Sequence, residues 1–398
     1  MDIFYYNDCS ILLIKLQVPS MKSRTVKSIG FPRMRKELNE KRVFLPEFIQ
    51  RMTELGFDVY IEEGYGSRSG FSADEFKKAN PRVHICDIEE VFAQDYILVL
   101  RAPDEDEFNF ITPASCIISM LHYPTRPKRV ELLEERNIKS LSIDSIIDDK
   151  NIRLVENMKA VAWNGLEAAF DCFEEKWPSL IRDDALPWKT LILGTGMVGK
   201  HAVEAATKLG NTERNNDHIQ ADGPGSIAWS IGRNLTYKTD LMERLFPEID
   251  ILVDATQRRN PAEPVIPNTL ISHLPEHAIV VDLAVDPYTL DINPPVVRGV
   301  EGIPKGDLDK YIFLPDDPKW DATVPNEIPS IHRRTSITCY SWPGIHPETC
   351  MRHYSQQLMP FMEILAEKGY DELSPAGNYF ERALYRSTLT FWLDQVKH

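Results

Sequence analysis

From residue 25 to residue 144 short apolar runs alternate with amphipathic stretches. "TVKSIGFP" predicts a first strand, and "FLPEFIQRMTELG" a helix with Pro46 near its start and Gly56 just past its end. "FDVYIEE" predicts the next strand, and "ADEFKKA" a short helix for which Ser72 is the N-cap. "DYILVLRAP" and "CIISMLHY" read as strands, "KRVELLEERN" as a helix, and "IKSLSIDSI" closes the unit. Strand–helix alternation at this spacing predicts a largely parallel α/β sheet. A long helical pattern covers about 155–176, and the proline-containing "WPSLIRDDALPWK" reads as a linker. "TLILG" opens a second α/β unit, continued by the strands "IDILVDAT" and "AIVVDLAV". Residues 315–347 are rich in Pro, Ser and Thr and read as loop. Two helical patterns end the chain, "PETCMRHYSQQLMPFMEILAEKG" and "NYFERALYRSTLTFWLDQV", whose apolar faces need a partner. The first unit is the natural one.

Composition narrows the class. With 398 residues, 43% of them apolar, the chain can bury two cores. Its net charge of −15 argues against a nucleic-acid-wrapping protein but leaves room for a local basic cleft. No run of 18 apolar residues predicts a membrane span. Residues 1–24 carry Asp2 and Asp8 ahead of a short apolar core, unlike a secretory leader. They read as an N-terminal extension of a cytoplasmic protein. The six cysteines form no CxxC pair, and there is no HExxH, so neither a disulfide framework nor a metal is expected.

The strongest local motif is "TLILGTGMVGKHAVEAATKLG", a strand running into Gly194, Thr195, Gly196, Met197, Val198 and Gly199, then a helix. In a dinucleotide site the first glycine makes the tight turn, the second lets backbone approach a pyrophosphate, and the third lets helix and strand pack closely. The helix start then favours the phosphate charge. A purely structural turn is the alternative. The acidic residue expected about 20 residues on is missing. A polar, loop-like insert at 211–225 intervenes; if the apolar stretch "SIAWSIGRN" after it is the displaced second strand, its end carries Gly232 and Arg233 instead. An arginine there suits a 2′-phosphate, hence NADP over NAD; a solvent arginine on a turn is the other reading.

The stretch "GFPRMRKELNEKRVFLPEFIQRMTELGFDVYIEEGYGSRSGFSADEFKKA" resembles the opening of the alanine dehydrogenase and pyridine-nucleotide transhydrogenase family, which includes the lysine-forming saccharopine dehydrogenases. "LVLRAP", "SMLHYP", "VVDLAVDP" and "SWPGIHP" follow in the family's order, and the resemblance covers most of residues 25–369. It implies two Rossmann-like domains separated by a cleft. Residues 25–155 plus 345–398 would form the substrate domain, completed by the C-terminal helices. Residues 156–188 would be a connecting helix and linker, and residues 189–344 the dinucleotide-binding domain. The implied activity is NAD(P)-dependent interconversion of an amino acid and a 2-keto acid, or reduction of the imine between a keto acid and an amine. Hydride exchange between cofactors needs membrane-spanning parts and is not expected. A non-catalytic nucleotide-binding or regulatory protein is the alternative. A homo-oligomer, a dimer or larger, is expected.

The resemblance also assigns roles. Arg42 in "NEKRV" matches the arginine that grips a substrate carboxylate, a task the planar guanidinium suits. His122 in "SMLHYP" matches the catalytic histidine, a group able to exchange a proton near neutrality. Asp286 matches the aspartate beside the nicotinamide, while Asp282 reads as structural and Asp144 as a supporting acid. Arg101 stands where the family has lysine. An arginine cannot act as a base, so proton transfer falls on His122 or an aspartate. Arg42 and Arg101 together supply two positive charges, which suits a substrate bearing one or two carboxylates.

Overall fold

The computed structural model describes residues 27–78, 81–180 and 186–396. Its first sheet is built from β1 (Ser28–Phe31), β2 (Asp58–Glu62), β3 (Val83–Cys86), β4 (Tyr96–Arg101), β5 (Cys116–Met120) and β6 (Lys139–Ser142). They are all parallel, in the order β3-β2-β1-β4-β5-β6. The second sheet is built from β7 (Trp188–Leu193), β8 (Ser226–Ile231), β9 (Ile251–Asp254), β10 (Ile279–Asp282), β11 (Ile312–Phe313) and β12 (Thr335–Thr338). Its order is β11-β12-β10-β9-β7-β8, and only β11 runs antiparallel.

The central strands β4 (YILVLR) and β10 (IVVD) are buried, near-continuous apolar runs, as strands covered on two faces are. Helix α1 (Pro46–Glu54) packs Phe48, Ile49 and Met52 on one face of the first sheet. The same core takes Met351, Leu358 and Phe361 from α5 (Pro347–Glu367) and Leu384 from α6 (Tyr379–Arg386), so residues from the far end of the chain complete it. Helix α2 (Met158–Lys176) buries Leu166, Phe170 and Phe173 against the second sheet, beside α3 (Met197–Thr207). Ser72 does open its helix: the Glu75 carboxylate accepts from both its N–H (2.7 Å) and its hydroxyl (2.8 Å).

Four local expectations need correction. Strand β3 was not expected, because "VHIC" at a sheet edge alternates apolar and polar positions over only four residues. The stretch 211–225 contains a helix, α4 (Thr212–Ala221), started by Asn211, whose side chain accepts from the Arg214 N–H at 2.8 Å. It buries no residue, so no apolar stripe announced it. The region 315–347 is not all loop. It supplies β12, whose Thr335, Ser336 and Thr338 are buried, with the Ser336 hydroxyl bonded locally and that of Thr338 to Arg298. Finally, the last helical pattern is broken at Ser387–Thr388 into α6 and α7 (Leu389–Val396). The Ser387 carbonyl accepts from Ser142 N–H of β6 (2.8 Å), a bond that an unbroken helix would forbid. The expected extension at 1–24, Cys9 and the middle of the expected linker lie outside the described residues.

Candidate active site at the facing strand ends

The carboxyl ends of the two sheets face each other. Arg101, the last residue of β4, lies over the ring of Tyr340, two residues past β12, with its guanidinium carbon 4.6 Å from the ring centre. The strap 37–42, beyond β1, ties the two sheets together. The Asp309 carboxylate accepts from the N–H groups of Leu38 (3.0 Å) and Asn39 (2.7 Å), and Leu308 N–H donates to Glu37 (3.3 Å). Strand ends facing a crevice are where α/β folds take ligands.

Within this frame the two expected arginines come together through acids. Arg42 is buried, with Nε 2.9 Å and Nη2 2.5 Å from the two oxygens of Glu40, and Nη2 also 2.6 Å from Ser341 Oγ. Arg101 Nη1 donates to Glu37 (2.7 Å) and, at 3.4 Å, to the same Glu40. Both glutamates are buried. Burial opposes the charge on Glu40, but the two guanidinium groups outweigh it and hold the carboxyl below the usual range. The two positive charges counted along the sequence are therefore matched one for one. Nε and Nη2 of Arg101 remain donors without a partner among the described residues.

His122 closes β5 in a left-handed conformation (φ 52°), uncommon for a residue with a side chain. Asp144 holds it twice: one carboxylate oxygen accepts from His122 N–H (3.2 Å) and the other lies 3.2 Å from Nδ1. The Ser142 hydroxyl donates to the same carboxylate at 2.8 Å. Asp144 is buried, which alone would raise its pKa; the bonds from His122 and Ser142 more than offset this and bring it down to about 2. An ionised carboxylate only accepts, so Nδ1 carries the proton, and Nε2 bonds no described residue. About 46% of the histidine side chain is exposed, enough to meet a ligand.

On the opposite side Asp286 pairs with Arg258 (2.7 Å). The Arg258 side chain is buried and anchored on the carbonyls of Pro261, Glu263 and Val297, so the loop 255–264 fixes the carboxylate. Beneath it Asp254 and Asp282 lie side by side at the ends of β9 and β10. Arg298 serves Asp282 (2.5 Å), while Asp254 has one oxygen without a partner. Burial, then the neighbouring Asp282, pushes Asp254 up to about 7. Neither Arg258 nor the Asp254–Asp282–Arg298 cluster was singled out from the sequence.

The glycine loop has the shape its motif requires. Gly194 has φ 111°, and a Cβ there would meet the Ala255 carbonyl at 2.4 Å. A Cβ on Gly199 would meet the Gly194 carbonyl at 2.1 Å, whereas one on Gly196 would meet nothing within 4 Å. Thus the first and third glycines are demanded by packing, and the second faces open space at the start of α3. Thr195 and Met197 are exposed beside it and Val198 half-buried. The end of β8 adjoins the loop, with Ser230 Oγ 3.1 Å from the Gly194 carbonyl. The residues present fit a dinucleotide pyrophosphate. Arg233, next along, is exposed and its side chain bonds no described residue.

Fold and loop together define a two-domain Rossmann-like protein. A signature described as the alanine dehydrogenase/PNT N-terminal domain matches residues 31–162, about a third of the chain. It is 26% identical over 190 residues to the NAD(P) transhydrogenase subunit alpha of Haemophilus influenzae, an alignment covering 46% of this chain and 36% of the relative. It is 27% identical over 117 residues to alanine dehydrogenase 1 of Staphylococcus aureus, covering 29% of this chain and 31% of the relative. The matched stretches thus span about a third of these relatives' lengths. In three dimensions an L-alanine dehydrogenase superimposes with a TM-score of 0.67 at 18% identity, over 91% of this chain and 94% of the other. A transhydrogenase from Sinorhizobium meliloti gives 0.58 at 16% identity, over 86% and 96%. Among the described residues no helix is long and apolar enough to cross a membrane.

Proposed function

We propose that the chain is an NAD(P)-dependent oxidoreductase that interconverts an amino acid and its 2-keto acid, or reduces the imine between a keto acid and an amine. The observation that carries the reading is the His122–Asp144 pair, held at a strand end that faces the domain bearing the glycine loop. Gly194 to Gly199 would seat the pyrophosphate and Arg233 a 2′-phosphate, which favours NADP. The bound nicotinamide supplies or accepts the hydride.

The remaining work falls to side chains. Nε2 of His122 takes the proton released as the carbon–nitrogen or carbon–oxygen bond gains double-bond character, and returns it in the reductive direction. Asp144 fixes the tautomer that leaves Nε2 basic and offsets the imidazolium charge. Asp286, steadied by Arg258, orients the substrate nitrogen or the attacking water. Arg101 presents Nε and Nη2 to a carboxylate, and Arg42 stiffens that wall through Glu40. Since Glu37 and Glu40 cancel the cluster's charge, the grip rests on directed hydrogen bonds more than on net attraction.

The test is an NAD(P)H oxidation screen pairing keto acids with ammonia and with amino acids. Turnover that drops about 100-fold or more in His122→Ala is the expected result, the scale of acid–base catalysis. Cofactor binding without oxidation of either cofactor by any pair would instead favour a nucleotide-binding protein without turnover, a reading to which the arginine at position 101 lends weight.

A further inference from the structure

The strap that carries Glu37, Glu40 and Arg42 has a second side. Between it, the loop 63–72 and the start of α5 lies a cavity of about 270 Å³, near the lower end of small-molecule pockets, about 300 Å³. Its walls mix two chemistries. Val43, Leu45 and Phe71 are apolar, while Lys41 and Arg68 are cations. A narrower extension shares Lys41 and Arg68 and reaches Arg33.

The charge pattern there is unusual for this chain. The net charge is −15, and nearby Arg35 has carboxylate partners in Glu62 and Glu107. Yet among the described residues Arg33, Lys41 and Arg68 have none. The side chains of Arg33 and Arg68 donate only to main-chain carbonyls, of Glu63 (3.3 Å) and Glu37 (2.8 Å). The Lys41 side chain has no partner among the described residues. The acids nearby are committed elsewhere: Glu348 on the rim is 2.9 Å from Arg352, and Glu40 is held by Arg42.

We infer that this groove binds a small aliphatic dicarboxylate. One carboxylate lies between Lys41 and Arg68, the methylenes lie on Val43, Leu45 and Phe71, and the second carboxylate reaches Arg33. The apolar wall favours an organic acid over inorganic phosphate, since it removes hydrocarbon from water. Arg68 and Ser69 both bond the strap's backbone, at the carbonyls of Glu37 and Lys41. The occupant therefore bears on the strap that joins the two sheets. This inference does not depend on the proposed reaction.

Calorimetric titration of the full chain with glutarate tests it. Saturable binding is expected, weakened about tenfold or more in Lys41→Met and in Arg68→Met, the scale of one charge-assisted hydrogen bond, and retained in His122→Asn. The Lys41 variant is the decisive one, because that side chain holds no structural bond. No saturable heat up to about 10 mM, affinity unchanged in Lys41→Met, loss in His122→Asn instead, or inorganic phosphate binding as tightly as glutarate would each overturn the assignment.

Discussion

Replacing Asp144 by asparagine is the sharpest probe of the His122 pair. The amide keeps an oxygen for the Ser142 hydroxyl and the His122 N–H, which lie 2.8 and 3.2 Å from the carboxylate in the parent. It puts an N–H or a neutral oxygen, rather than a negative charge, opposite Nδ1. Asp144 is held at about 2 in the folded chain against 3.8 ordinarily, and each pKa unit is worth about 1.4 kcal/mol. The carboxylate therefore contributes about 2 kcal/mol. Its folded pKa is depressed, so this stability is present above about pH 4 and is lost as pH falls through about 2. Urea unfolding of both proteins from about pH 2.5 to 7 should show a gap of about 2 kcal/mol at about pH 6 that narrows on acidification. A gap that is constant with pH, or that widens toward acid, would refute the assignment of the charge to this pair. Once a substrate is in hand, kcat should fall about 100-fold or more with KM little changed, because the ring is left in either tautomer.

Other outcomes follow from single contacts. Gly196→Ala should leave stability within about 0.5 kcal/mol, because its Cβ meets nothing, yet weaken NADPH binding tenfold or more in a fluorescence titration. Gly199→Ala should instead lower the melting point as well, because its Cβ would fall 2.1 Å from a main-chain oxygen; the cost is about 1–3 kcal/mol. Arg233→Ala should weaken NADPH far more than NADH, and equal losses would assign the arginine to solvent. Asp254 has a raised folded pKa of about 7, so its contribution falls as pH rises from about 4 to 7. Asp254→Asn should flatten that fall and leave the protein more stable than the parent at about pH 8, read by denaturant midpoints.

Much of the fold was legible because its signals are local. The strand-turn-helix around Gly194 and the alternation from β1 to β6 both follow from a few adjacent residues. What stayed hidden depends on partners far along the chain. β12 consists largely of hydroxyl-bearing residues and becomes an interior strand only because β10 and β11 flank it. Ser387 breaks the final helix to bond a strand 245 positions earlier. At the site, Arg42, Arg101, His122 and Asp286 could be nominated from motifs, but the charges around them could not. Glu37 and Glu40 were not nominated at all, and they become buried counter-charges through residues far along the chain: Leu308 N–H donates to Glu37, and Ser341 bonds the arginine that holds Glu40. Arg258 carries no signal of its own until Asp286 is seen against it.

The completion of the first core by α5 and α6 has a consequence for synthesis. β7 through β12 and the helices between them form one contiguous stretch, so the second sheet can close as soon as residue 338 clears the ribosome. The first sheet, although made earlier, keeps Phe31, Leu98 and Ile118 without part of their cover until Leu358, Phe361 and Leu384 arrive. The first core is thus completed last, although its strands are translated first. During that interval the exposed face is the surface a chaperone would meet, and a chain stalled short of α5 would present a closed second sheet tethered to an open first one.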